Sequence, residues 1–212
     1  MTRPLEEGNP KELSPLRFPS SRPPPLLNPD WWETRSFNFY DSLKLDNMYF
    51  DLPSSLSELE ELARLLTARG ETLGTAESCT GGLISALITS LPGSSRWFKG
   101  GVISYANEIK SSLLGVPEEL LLRHGAVSEA CALAMTAGAI KMLGVDHSLA
   151  VTGIAGPDGG TLEKPVGTVW LAWSVAGQTA AAHCLYTGNR AEVRAQAAAK
   201  ALSGLLDMLK AQ

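Results

Sequence analysis

VGTVWLAWSVAGQTAAAHCLY, residues 166 to 186, holds two runs of strand formers separated only by AGQ. Three residues are too few for a crossover helix, so the runs 166–175 and 179–186 are predicted to pair as an antiparallel hairpin. Upstream, the short apolar stretches ETLGTA (71–76), GGVISY (100–105) and HSLAVTG (147–153) read as strands that alternate with helical patterns. A hairpin added to such alternating units predicts an α/β domain with a mixed sheet and helices on both faces.

The helical segments carry their own punctuation. SELEELARLLTARG (57–70) sets Ser57 and Glu60 at capping-box spacing, places leucines at 59, 62, 65 and 66, and stops at Gly70. Residues 80–90 read as a second helix, closed by LPGS. NEIKSSLLG (107–115) and PEELLLRHG (117–125) read as short helices, the latter with Pro117 at the first helical position. A long helix from Ser128 is rich in small residues that permit close backbone packing, and a closing helix over 189–210 has a second capping box in Asn189 and Glu192.

Ahead of residue 57 the composition changes. Nine of the thirteen prolines lie in the first 53 residues, so residues 1–56 are expected to form a Pro-rich arm and residues 57–212 the globular domain. Within the arm, residues 30–51 hold Trp31, Trp32, Phe37, Phe39, Tyr40, Tyr49 and Phe50, more aromatics than disordered segments usually carry. This stretch is expected to dock on the domain or on a partner subunit; the plainer reading is a linker.

The whole chain of 212 residues has a formal charge of −4, which gives no support to nucleic-acid binding but leaves room for a small anionic ligand. Three cysteines, at 79, 131 and 184, show neither disulfide nor zinc spacing, so no metal is expected and the natural setting is a reducing, cytoplasmic one. Organelle targeting by the arm stays open, although Glu6, Glu7 and Glu12 argue against an acid-poor transit peptide. No apolar run has the length of a membrane span.

Four stretches hold residues able to do chemistry. TAESCTGGL (75–83) passes from strand to helix, where free backbone N–H groups and the positive end of the helix dipole converge. Ser78 there is either a nucleophile, with the N–H groups of Cys79 to Gly82 binding an oxyanion, or Ser78 or Thr80 is simply a helix cap. None of His124, His147 and His183 is marked as its base. Lys110, in YANEIK, could serve instead if burial lowers its pKa, with Tyr105 close in sequence; the bland reading is a solvated lysine and a buried tyrosine. The glycines of GIAGPDGG (153–160) could wrap a ribose or phosphate or merely join strands. Arg190, at the start of the last helix, hints at an anionic ligand, and Arg194 lies one turn further on.

Taken together, TAESCTGG, YANEIK, HGAVSE, GIAGPDGG, KPVGTV and GNR, in this order, closely resemble the C-terminal domain of the competence/damage-inducible CinA family from about residue 57 onward. The resemblance implies a three-layer α/β/α sandwich, assembly as a homodimer, and hydrolysis of the carboxamide of nicotinamide mononucleotide (NMN) to nicotinate mononucleotide and ammonia, in pyridine-nucleotide salvage, with no cofactor. It implies Ser78 as nucleophile, Lys110 as general base and Tyr105 as an aid that orients the hydroxyl or relays its proton. It further implies substrate binding by Thr80, Gly81, Gly82, Asn107, Gly153, Ala155, Gly156, Arg190 and Arg194. The family's long proteins carry a large preceding domain that residues 1–56 are too short to form, so activity of that domain is expected to be absent. The alternative is a non-catalytic nucleotide-binding or interaction module of the same family.

Overall fold

The computed structural model describes residues 53–212, with side chains from Ser57 onward; the expected arm, its aromatic stretch included, lies outside the described residues. The elements run α1 (Pro53–Arg69), β1 (Leu73–Glu77), α2 (Leu83–Thr89), a short 3-10 turn (Ser94–Arg96), β2 (Phe98–Ile103), α3 (Asn107–Leu114), α4 (Glu118–His124) and α5 (Glu129–Leu143). They continue with β3 (His147–Gly153), β4 (Thr168–Val175), β5 (Gln178–Leu185) and α6 (Arg190–Lys210). The sheet order is β2-β1-β3-β4-β5, with β2, β1 and β3 parallel and β3, β4 and β5 antiparallel. The mixed sheet expected from the hairpin is therefore present. Its turn is tighter than AGQ suggests: Val175 pairs with Gln178, and Ala176 and Gly177 both take positive φ, as a two-residue turn between twisted strands requires.

Each face of the sheet is sealed by helices. Side chains alternate along β3: Leu149 and Val151 enter one core, and Ala150 the other. The larger core joins them to Leu59, Leu62 and Leu66 of α1, Ile84 and Ile88 of α2, Leu171 and Trp173 of β4, and Ala197, Ala201 and Leu205 of α6. Fully burying each such leucine is worth roughly 2 kcal/mol. Trp173 also donates from Nε1 to the Ala201 carbonyl at 2.7 Å, tying the sheet to α6. The opposite core packs Ala76, Val102 and Ala150 against Leu114 of α3 and Cys131, Met135 and Ala139 of α5. Here the small residues matter as expected: a Cβ on Gly138 would run into the Leu114 carbonyl, so glycine sets how closely α3 and α5 approach.

Three local expectations shift. The first helix begins at Pro53, so Ser57 lies inside α1 rather than at its start; proline suits the first turn because its missing N–H would have no helical partner there. Pro117 occupies the cap position and α4 starts at Glu118. The helix expected from residue 80 begins at Leu83. The Asn189/Glu192 capping box is present: Asn189 Oδ1 accepts from the N–H groups of Ala191 and Glu192, and Glu192 accepts from the Asn189 N–H at 2.7 Å. Among the described residues, no helix is long and apolar enough to cross a membrane.

Candidate active site

The parallel strands β1, β2 and β3 end side by side, and the segments leaving their C-terminal ends meet at the crevice where α/β sheets bind ligands. Ser78 is the first residue beyond β1. Its N–H still donates to the Val151 carbonyl at 2.9 Å, so the sheet holds its backbone. The chain then turns sharply: Gly81 donates to the Ser78 carbonyl at 3.0 Å, and Gly81 and Gly82 take φ of +58° and +94°. Two successive left-handed residues are strained for any side chain, and a Cβ on Gly82 would press on Ile103.

This turn corrects the expected cap. Gly82, not Ser78 or Thr80, occupies the cap position of α2, and it supplies no side chain. Glu77, which the sequence reading did not single out, takes that role. One of its carboxylate oxygens accepts from the N–H groups of Gly82 (2.9 Å) and Ile84 (3.2 Å), and the other from the N–H (2.8 Å) and hydroxyl (2.7 Å) of Ser85. The N–H of Leu83 turns back to the Thr80 carbonyl. Of the expected oxyanion donors, only the N–H groups of Cys79 and Thr80 donate to no other residue among the described residues.

Lys110 comes from the opposite side. The segment after β2 continues the sheet, with the Ser104 N–H on the Glu77 carbonyl at 2.8 Å, and then enters α3. Lys110 on α3 is 1% exposed, and its Nζ lies 3.1 Å from Ser78 Oγ, 2.8 Å from the Ser104 carbonyl and 3.2 Å from the Tyr105 carbonyl. Burial lowers its pKa below the ordinary lysine value, outweighing the opposite pull of Cys131, Cys79 and Glu108. Lys110 Nζ donates to Ser78 Oγ and to the two carbonyls; once neutral, the amine keeps two N–H donors for the carbonyls and has a lone pair free to take the Ser78 proton.

The Tyr105 side chain does not join that pair. It is the Tyr105 carbonyl that meets Lys110, while the hydroxyl accepts from Arg190 at 2.8 Å. Arg190, exposed at the start of α6, also donates to the Gly156 carbonyl at 2.8 Å and has no acidic partner among the described residues. It thus bridges the segment after β2 to the loop after β3. Arg194 instead braces the turn after Ser78, donating from Nε (3.2 Å) and from its terminal nitrogen (2.7 Å) to the Thr80 carbonyl.

The remaining expected residues divide by exposure. Gly153 ends β3, where a Cβ would meet the backbone of β4. Ala155 and Gly156 are buried, and Asn107 is exposed at the first position of α3. The hydroxyls of Thr80 and Ser104 are buried with no hydrogen-bond partner among the described residues. The glycine-rich loop is latched by Lys164, whose amine donates to the carbonyls of His124 and Val127 at 3.0 and 2.8 Å. No histidine hydrogen-bonds Ser78: His147 sits at the far end of β3 against Glu71, and the His183 ring packs at a tilt against Trp170. Cys79 is buried beside Ser78, and burial pushes its thiol up to about 12.

Comparison with known proteins places this geometry in context. The profile of the CinA C-terminal domain matches residues 56–209. The nicotinamide-nucleotide amidohydrolase PncC of Escherichia coli K12 is 48% identical over 154 residues, covering 72% of this chain and 93% of that protein. A CinA-like protein of Gemmatimonas aurantiaca is 51% identical over 150 residues, 69% of this chain but only 35% of the longer protein. The crystal structure of the competence damage-inducible protein A (ComA) of Klebsiella pneumoniae superposes with a TM-score of 0.71 at 40% identity, over 74% of this chain and 97% of that one.

Proposed function

The chain belongs to the CinA C-terminal domain family, and from that premise we propose that it is a nicotinamide-nucleotide amidohydrolase, hydrolysing the carboxamide of NMN to nicotinate mononucleotide and ammonia in pyridine-nucleotide salvage. The observation that carries this reading is the buried amine of Lys110, 3.1 Å from a serine hydroxyl and fixed by two backbone carbonyls.

In the proposed reaction, Ser78 Oγ attacks the amide carbon and its proton passes to neutral Lys110, which lies within general-base reach. The negative charge that gathers on the amide oxygen is met by the N–H groups of Cys79 and Thr80. The resulting Lys110 ammonium returns the proton to the departing nitrogen, releasing ammonia and leaving an ester on Ser78. A water then gives its proton to Lys110 and attacks the ester, and Ser78 leaves as the alcohol. Arg190, with donors to spare beyond Tyr105 and Gly156, takes the 5′-phosphate. Arg194 keeps the turn in place through Thr80.

The test is ammonia release from NMN by wild type and by Ser78→Ala. The expected result is turnover in wild type and its loss in the variant. An inert wild type would overturn the amidase reading, and turnover surviving in Ser78→Ala would overturn the choice of nucleophile.

A further inference from the structure

Glu77 is fully buried, and no basic side chain pairs with it among the described residues. Burying a carboxylate without a cation is costly unless hydrogen bonds replace its water. Here they do, and all four come from one short segment, Gly82 to Ser85. Because that segment lies just past Ser78, the contacts close a loop: the side chain of the residue before the nucleophile grips the residues after it.

A second tie reaches back into the sheet. Ser85, which donates its hydroxyl to Glu77, also lies 2.9 Å from the Thr75 hydroxyl on β1. Room for this bridge is left by the neighbouring strand, since a Cβ on Gly101 of β2 would collide with both hydroxyls. Glycine inside a strand weakens it, so this opening has a cost that the bridge offsets.

We propose that Glu77 is a positioning residue: with Ser85 as its link to Thr75, it clamps the Ser78–Gly82 turn onto β1, keeping Ser78 Oγ within reach of Lys110 Nζ. The clamp also decides where negative charge goes. The N–H groups at the mouth of α2 are taken by a carboxylate, so neither the oxyanion nor the substrate phosphate is held there. Cys79 and Thr80 are left to meet the oxyanion, and Arg190 to meet the phosphate. The inference rests on Ser78 being the nucleophile, and its test separates the two.

The full chain is compared as wild type, Glu77→Gln and Ser85→Ala. Three readouts are taken: deuterium uptake of the peptide spanning 78–86, the rate at which a fluorophosphonate labels Ser78, and kcat and KM for NMN. In Glu77→Gln an amide NH2 faces N–H donors. Uptake in 78–86 is expected to rise at least tenfold with β3 and β4 unchanged, labelling and kcat to fall on the order of 100-fold, and KM to stay within about threefold. Ser85→Ala removes one hydroxyl and the Thr75 bridge while the backbone bonds to Glu77 persist, so a fall of about 3- to 10-fold is expected. It decides the matter if Glu77→Gln does not fold.

Unchanged uptake and labelling would overturn the proposal. Faster uptake with labelling and kcat unchanged would also overturn it, because Glu77 would then serve the fold alone. A wild type that is labelled but releases no ammonia would sink the amidase reading only, since uptake and labelling report on the clamp without NMN.

Discussion

Replacing Lys110 by methionine keeps an unbranched side chain only one heavy atom shorter and removes its basic nitrogen. Among the described residues Lys110 Nζ is the only side-chain nitrogen bonded to Ser78 Oγ, at 3.1 Å, so the variant leaves the hydroxyl without a base. General-base catalysis is worth about 10²- to 10⁴-fold, and here the same amine also protonates the leaving nitrogen. A loss of about 10³-fold in kcat is therefore expected, equivalent to about 4 kcal/mol. Because Ser78 and Lys110 act as a unit, Ser78→Ala/Lys110→Met should be no slower than the worse single variant.

The same residue fixes the pH dependence. Burial lowers the Lys110 pKa in the folded chain, whereas the unfolded chain keeps the ordinary value of 10.5. kcat/KM should rise with pH through the lowered value and reach its plateau before 10.5. Between the two values the unfolded state holds a proton that the folded state lacks, so this group makes stability rise with pH across that window and contributes its lower level below it. Ammonia release measured across pH, paired with thermal melts of wild type and Lys110→Met, checks both slopes. More than about a tenth of wild-type kcat in a folded Lys110→Met, or a double variant whose loss is the product of the two single losses, would refute the reasoning.

Two further outcomes follow from the geometry. Arg190→Ala removes a charge-assisted contact and should raise KM for NMN about 10- to 100-fold, with little effect on nicotinamide riboside, which lacks the phosphate; equal losses on both substrates would count against phosphate binding. Cys79, with its thiol pushed up to about 12, should hold thiolate in only about 1 molecule in 10,000 at pH 8, so iodoacetamide should leave activity intact; inactivation that tracks Cys79 alkylation by mass spectrometry would contradict this.

The proposed function, with a phosphate on Arg190 and an oxyanion at the turn after Ser78, gives separate tasks to two parts of the site. The first task uses an exposed cation whose acceptors, the Tyr105 hydroxyl and the Gly156 carbonyl, are both uncharged. The second would use backbone donors beside a fully buried carboxylate that already occupies the N–H groups at the helix mouth. A nucleotide whose anionic group and reacting amide lie at opposite ends suits this division.

What the sequence determined by itself is what neighbours along the chain decide. Hydrophobic period, the short AGQ connection and the Asn189/Glu192 box are local, so the mixed sheet and its hairpin were legible, though not the exact turn, and so were Ser78 at a strand end and Lys110 on a short helix. Tertiary structure decided the rest through long-range contacts. Lys110 meets Ser78 only because folding buries its amine against a serine 32 positions away. Arg194 is held by the Thr80 carbonyl, 114 positions away. The Tyr105 hydroxyl is drawn off by Arg190, and α2 starts late because a strand carboxylate, not a serine or threonine, meets its first N–H groups. Each is a competition among polar partners for a few buried donors and acceptors, and only the packed sheet and helices fix which partner is in reach.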